Sequence, residues 1–272
     1  MTDELVAPPG LIPLAVGREA EVFMRADGNV VKLMRSPSQE ERVQREAAAL
    51  QALADCQHLA PAFVETTEVA GRPALVTERV SGDDLLSRLS RKPWLVLQVA
   101  STLGRAHAAM HRRGAPDTLP DLRDELARRI ESAAALPHKL GGDALDRLRM
   151  LPAGDRLCHG DYHPQNVLGT LKAPVIIDWG DASRGAPSAD VARTLLLLRM
   201  AELPPETSAA MRSLAAIGRR MLARRYLAVY RRHAAERTSQ LDDWMFVRAA
   251  ARFNEEIEVE YPRLLRLLEQ SH

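Results

Sequence analysis

Charge of either sign is nearly absent as a net quantity in this chain of 272 residues. Its 37 Lys and Arg stand against 36 Asp and Glu, a formal charge of +1. A protein that grips a polyanion usually carries a basic excess, so nucleic acid is not an expected partner. Cysteine is scarce as well. Cys56 and Cys158 alone cannot build the disulfide framework of a secreted scaffold, and reduced thiols are the default reading. No apolar run approaches the roughly 18 residues of a membrane span. The start, Met1-Thr2-Asp3-Glu4, lacks the basic and apolar regions of a signal peptide. No membrane partner is expected, and the cytoplasm is the simplest location. Hydrophobic residues at 46% and charged residues at 27% are ordinary for a globular enzyme, and the length allows two packed lobes.

What is present divides near residue 81. Before it come short segments of strand character: Leu14 to Gly17, Glu21 to Arg25, Asn29 to Met34, Phe63 to Val69 and Ala74 to Val80. Asp27-Gly28 and Ala70-Gly71 mark turns between them. Ser36-Pro37-Ser38-Gln39 opens a helix, with Ser36 as cap, Pro37 in the first turn and Gln39 completing a capping box. Val43, Ala47, Leu50 and Ala54 form that helix's apolar stripe. After Ser81-Gly82 the periodicity is helical: Pro93 to Arg113, Leu119 to Ala135, Asp143 to Met150, Pro187 to Met200, Pro205 to His233 and Leu241 to Glu269. The expected class is therefore α+β, with a small antiparallel-sheet lobe over residues 1–81 and a larger helical lobe over 82–272.

Chemistry concentrates in Leu157-Cys158-His159-Gly160-Asp161-Tyr162-His163-Pro164-Gln165-Asn166 and in Val175-Ile176-Ile177-Asp178-Trp179-Gly180. This stretch offers a carboxylate, an amide five residues on, and a second carboxylate after an apolar strand. Phosphoryl transfer needs little covalent help from protein; it needs an in-line acceptor oxygen and metal ions that neutralise phosphate charge. Asp161 is suited to accept the proton of an attacking hydroxyl. Asn166 and Asp178 provide the hard oxygen ligands that Mg²⁺ prefers.

Two charges stand in apolar surroundings. Lys32 interrupts Val30-Val31-Lys32-Leu33-Met34, and Glu46 lies on the inward stripe of its helix. Each needs a partner if buried. The economical solution pairs them, with Lys32 also touching the α- and β-phosphates of a nucleotide. A snorkelling lysine and a helix-edge glutamate are the ordinary alternatives.

The string His-Gly-Asp-x-His-x-x-Asn, followed by Asp178-Trp179-Gly180-Asp181, resembles the aminoglycoside phosphotransferase and choline kinase family, distant relatives of the protein kinases. From Gly17 to Asp190 the resemblance implies a two-lobed protein-kinase-like fold with ATP, or another purine nucleoside triphosphate, and Mg²⁺ in the cleft. It implies Asp161 as catalytic base and Asn166 and Asp178 as metal ligands. Asp190 would brace the catalytic loop, and backbone groups of Glu78 and Val80 would meet the adenine edge. Gly17-Arg18-Glu19-Ala20-Glu21 takes the place of the phosphate-covering hairpin, although only Gly17 survives of the G-x-G-x-x-G pattern. His159-Gly160-Asp161 has no arginine, and no A-P-E segment follows Asp178. Both departures favour a small-molecule acceptor over a protein.

Rival readings are weaker. Cys158, His159, Asp161 and His163 are too tightly spaced to converge on one tetrahedral zinc ion. Nothing marks Cys158 as an activated thiol. His107 and His111 have ligand spacing but no third partner in sequence and read as ordinary helix histidines. Arg219, Arg220, Arg224, Arg225, Arg231 and Arg232 read as a solvated face or an anionic acceptor site. Asp181 is read as a loop cap, with a second metal as its other use. Asn254 to Tyr261, rich in glutamate, is either a charged helix exterior or a patch for a polyamine acceptor. An aminoglycoside-like compound, an amino alcohol or a sugar are all open as acceptors, as are a monomer and a homodimer. The alternative to an enzyme is a catalytically weak kinase-like module that binds nucleotide for regulation.

Overall fold

The computed structural model describes residues 7–17, 19–56, 58–200, 208–235 and 238–270. Five strands, β1 (Ile12–Val16), β2 (Ala20–Met24), β3 (Val30–Met34), β4 (Phe63–Val69) and β5 (Arg72–Thr77), form an antiparallel sheet in the order β1-β2-β3-β5-β4. Strand alternation decides where Lys32 goes. Val31 and Leu33 join Phe23, Ala74 and Val76 in a small core on one face, so Lys32 and its cross-strand neighbour Leu75 point to the other. Helix α1 (Glu40–Ala52) covers that second face and buries Val43, Glu46, Ala47 and Leu50.

The expected caps are present. Ser36 and Gln39 form a reciprocal capping box, although the first turn, Pro37–Gln39, is 3-10 and the α-helix begins only at Glu40. The turn between β4 and β5 places both Ala70 and Gly71 at positive φ, which matches the twist of a tight hairpin.

After Thr77 the chain leaves the sheet. Gly82, at φ +108°, passes so close to the backbone of Gly169 that a Cβ on it would lie 3.2 Å from the Gly169 Cα. Helices α2 (Leu85–Arg91), α3 (Val96–Met110), α4 (Leu122–Glu131) and α5 (His138–Met150) follow. Then come the short strands β6 (Arg156–Cys158), β7 (Val167–Gly169), β8 (Pro174–Ile176) and β9 (Ser183–Gly185), and helices α6 (Pro187–Met200), α7 (Ala209–His233), α8 (Leu241–Arg252) and α9 (Tyr261–Glu269). Helices α3 and α7 touch through Gly104, where an added Cβ would stand 2.7 Å from the Tyr226 carbonyl oxygen. Beneath the short strands a continuous core runs from Val43 and Leu50 through Leu103, Trp179 and Leu195 to Trp244 and Leu268.

Several boundaries differ from the sequence reading: β5 ends at Thr77 rather than Val80, and α3 and α4 are shorter at both ends than their apolar patterns. Asp84 caps a helix over Leu85–Arg91 that the periodicity does not reveal. Helix α5 begins at His138 rather than Asp143, because Gly141-Gly142 obscure a helix that Pro137 introduces. The helix expected from Leu241 to Glu269 is broken. Glu256 takes a left-handed conformation at φ +55° between two 3-10 turns, and Pro262 suits only the first turn of a new helix. The expected start at Pro205 lies outside the described residues.

Candidate active site

Strand β6 delivers the chain into the loop of residues 159–166, and the hairpin of β7 and β8 returns it to Asp178. The loop is held from below. Asp190, fully buried near the start of α6, accepts the amides of His159 (2.7 Å) and Gly160 (2.9 Å) and is reached by Nε2 of His107 (3.0 Å) and His111 (3.2 Å). Burial alone would raise its carboxyl; the two histidines outweigh that and hold it well below the ordinary range. Gly160 sits at φ +81°, where a Cβ would lie 2.3 Å from the Asp181 carbonyl oxygen. Only glycine lets the two loops approach so closely.

His159 fixes the next contact. Its Nδ1 accepts the Asp161 amide at 3.2 Å and its Nε2 donates to the Ile177 carbonyl at 3.0 Å, so one imidazole joins the loop to the segment carrying Asp178. Asn166 donates Nδ2 to the Asp161 carbonyl (2.9 Å) and its carboxylate (3.3 Å). The Asn166 carbonyl accepts the Ile177 amide at 3.0 Å. Asp178 itself lies at φ +65°, a conformation that costs a non-glycine residue about 1–3 kcal/mol and is often retained at functional sites.

Lys32 spans the cleft. Its Nζ is 2.6 Å from Glu46 Oε2 and 2.7 Å from Asp178 Oδ1. Burial would lower the ammonium's pKa, but the carboxylates of Glu46 and Asp178 outweigh it and hold it above the ordinary lysine value. Asp178 mirrors this: burial pushes it up, and Lys32 brings it below the usual carboxylate range. The expected Lys32–Glu46 pair is thus present, and Asp178 is its third member.

Asp161 faces Lys32 across a cavity of about 880 Å³ that Gly17, Ala20, Lys32, Asp161 and Asp178 help to line. Its carboxylate meets Arg193 Nη2 and His163 Nε2, each at 3.3 Å. Burial would raise the carboxyl; the His163 hydrogen bond and the Arg193 charge outweigh it, so Asp161 stays ionised well below the ordinary range. Glu78 and Val80 do not line this cavity; Glu78 gives its amide to the Ala62 carbonyl at 2.9 Å. Asp181 is tied by Arg42 at 3.2 Å and Arg129 at 3.4 Å. Cys158 is buried, and burial raises its thiol well above the ordinary value.

Sequence reasoning missed the arginines. Arg193 follows Asp190 by three residues and so shares its face of α6, donating Nε to the Gly160 carbonyl at 3.1 Å. Arg42 precedes Glu46 by four on α1 and points into the same cleft. Both were legible from helical spacing; Arg129, brought in by tertiary folding, was not. His107, His111 and Asp190 lie close enough together to ligate an ion. Each imidazole, however, already has a tyrosine hydroxyl on Nδ1, Tyr226 at 2.6 Å and Tyr230 at 2.7 Å, besides Asp190 on Nε2. The cluster is a hydrogen-bonded support.

A kinase-like cleft with these groups defines the class: a phosphotransferase acting on the hydroxyl of a small molecule. The chain belongs to the family described as "APH: Phosphotransferase enzyme family", whose pattern matches residues 10–235. Among solved structures it resembles the amicoumacin kinase hAmiN, determined with AMP-PNP, Ca²⁺ and Ami, at 16% identity and a TM-score of 0.66 over 97% of this chain and 88% of that one. It is also similar to an aminoglycoside-3'-phosphotransferase of type VIII, at 22% identity and a TM-score of 0.63 over 90% and 94% of the two chains. The GDP and kanamycin complex of APH(2")-IIia is a third likeness, at 17% identity and a TM-score of 0.59 over 98% and 94%. No curated protein matches the chain in sequence.

Proposed function

We propose that the protein transfers the γ-phosphoryl group of ATP, or of another purine nucleoside triphosphate, to a hydroxyl of a small molecule in a Mg²⁺-dependent reaction. The observation that carries this reading is the Lys32–Glu46–Asp178 triad, whose Lys32 and Asp178 line one cavity with Asp161, the carboxylate to which the buried Asn166 is hydrogen-bonded. Residues 1–81 form the nucleotide-binding lobe and residues 82–272 the catalytic and acceptor-binding lobe. AMP-PNP, Ca²⁺ and GDP in the similar structures support a nucleotide with a divalent ion. The free, buried thiols of Cys56 and Cys158 suit the reducing cytoplasm.

The residues present fit magnesium. Asn166 spends its Nδ2 on Asp161 and so turns its amide oxygen to other use, while Asp178 contributes a carboxylate. These are hard oxygen donors. When bound, the ion supplies charge neutralisation on the phosphate oxygens. Lys32, steadied by Glu46, positions the α- and β-phosphates, and Gly17 and Ala20 cover them from the hairpin. Glu78 and Val80, which follow strand β5 outside the lining of this cavity, are the backbone positions proposed for the adenine edge. Asp161, ionised and oriented by Arg193, His163 and Asn166, accepts the proton of the attacking hydroxyl.

The test is Asp161→Ala against wild type. Transfer to a panel of sugars, amino alcohols and aminoglycosides should fall by about 10²–10⁴-fold, the usual worth of a positioned base. Stabilisation by Mg-ATP in a thermal-shift assay should persist. A variant that loses nucleotide binding alone would remove Asp161 from the role of base.

A further inference from the structure

The acceptor end of the cleft contains four carboxylates, Asp161, Asp181, Glu255 and Glu256, and four arginines, Arg42, Arg129, Arg193 and Arg252. Most of these carboxylates are already paired within the protein, and Arg42 is further held by Glu19 at 2.8 Å. Arg193 holds Asp161 at 3.3 Å through Nη2 and Glu255 at 2.8 Å through Nη1. Arg252 grips the other oxygen of Glu255 and binds Glu260 at 2.7 Å. Arg42 and Arg129 share Asp181. A string of alternating charges thus runs from the break between α8 and α9 to the side chain of Asp161. Burial would raise Glu255, and Arg193 and Arg252 bring it below the ordinary range. Among the described residues, Glu256 is the one carboxylate at this end with no arginine beside it, and it is exposed.

A ligand with several ammonium groups gains from a pocket only where carboxylates are free to replace the water it loses. Here three of the four would have to be pulled from arginines that are themselves partly or fully buried. We infer that the acceptor is a hydroxyl compound carrying at most one ammonium group, and that the glutamates at residues 255 and 260 serve to anchor Arg193 and Arg252 instead of binding a polycation. This deepens the phosphotransferase reading and rests on it.

Binding of spermine and of kanamycin to the full-length enzyme, read by calorimetry with and without Mg-ATP, tests the inference. Wild type should bind both no more tightly than millimolar. Arg252→Gln, which frees Glu260 and one oxygen of Glu255 while Arg193 keeps the other, should bind spermine at least tenfold more tightly. Micromolar binding of either polycation by wild type would overturn the inference, as would an Arg252→Gln protein with unchanged affinity. If that variant does not fold, the wild-type titration still decides. Transfer rates give a second arm: neutral sugars and mono-amino alcohols should exceed kanamycin, and the reverse order would also overturn it. The phosphotransferase reading fails separately, by absence of any Mg-ATP stabilisation, which the same calorimeter records before a polycation is added.

Discussion

At the scale of single residues, His163 and then Arg193 hold Asp161 ionised and so shape the pH behaviour of the site. A carboxylate held below its ordinary pKa is ionised over a wider acid range, so Asp161 should not limit the rate until the pH falls well under the usual carboxylate value. Removing a neighbouring cation reverses that sign. Arg193→Gln should shift the acid limb of kcat/KM to higher pH, while Arg193→Lys should restore part of the wild-type profile. Rate profiles carried from pH 8 down to about pH 3 would check it: a limb that enters this window in Arg193→Gln and not in wild type supports the role, and profiles that coincide throughout would leave Arg193 with a packing role only. Much at this scale was readable in the chain. Asp161, Asn166 and Asp178 fall within one short stretch, and Lys32 and Glu46 each break an apolar pattern that calls for an explanation. Arg129 breaks no pattern; its meaning arises only when α4 is laid against Asp181.

Elements α3, α6 and α7 meet at the polar knot of His107, His111, Asp190, Tyr226 and Tyr230. Burial first, and then the neighbouring His111, lower the His107 pKa to about 3. The folded state therefore takes up this proton less readily than an unfolded chain, whose histidine titrates near 6.5. Its contribution to stability is complete above about pH 6.5 and declines as the pH falls toward 3, by at most about 1.4 kcal/mol per unit. Urea midpoints should drop between pH 7 and pH 5 in wild type, and less steeply in His107→Gln. Parallel curves would mean that another group governs the loss. Legibility was uneven among elements. The strands and α1 show clear alternation and caps, whereas the break at Glu256 is set by Arg252, Glu255 and Glu260 pairing across it. No periodicity rule contains that information. The two histidines looked unremarkable for the same reason, since both tyrosines arrive from a helix more than a hundred residues on.

At the scale of the whole molecule, Lys32 and Asp178 close the cleft with an ion pair between residues 146 apart in sequence. Asp178→Ala should leave Lys32 paired with Glu46 and the fold intact, yet weaken the Mg²⁺-dependent part of nucleotide stabilisation by tenfold or more in affinity. Titration of ATP with and without the metal measures this, and an unchanged metal increment would take Asp178 out of the ligand set. The sheet is also joined to the helices by the covalent strap that runs through Gly82 over Gly169. The far side of that contact is the hairpin that begins after Asn166 and ends just before Asp178, and its Ile176 amide is bonded to Leu59 at 2.7 Å. Any hinging of the sheet on the helices would therefore slide two bare backbones past each other. The absence of side chains there would make a smooth bearing, and it would gear any opening of the mouth to the spacing of Lys32 and Asp178.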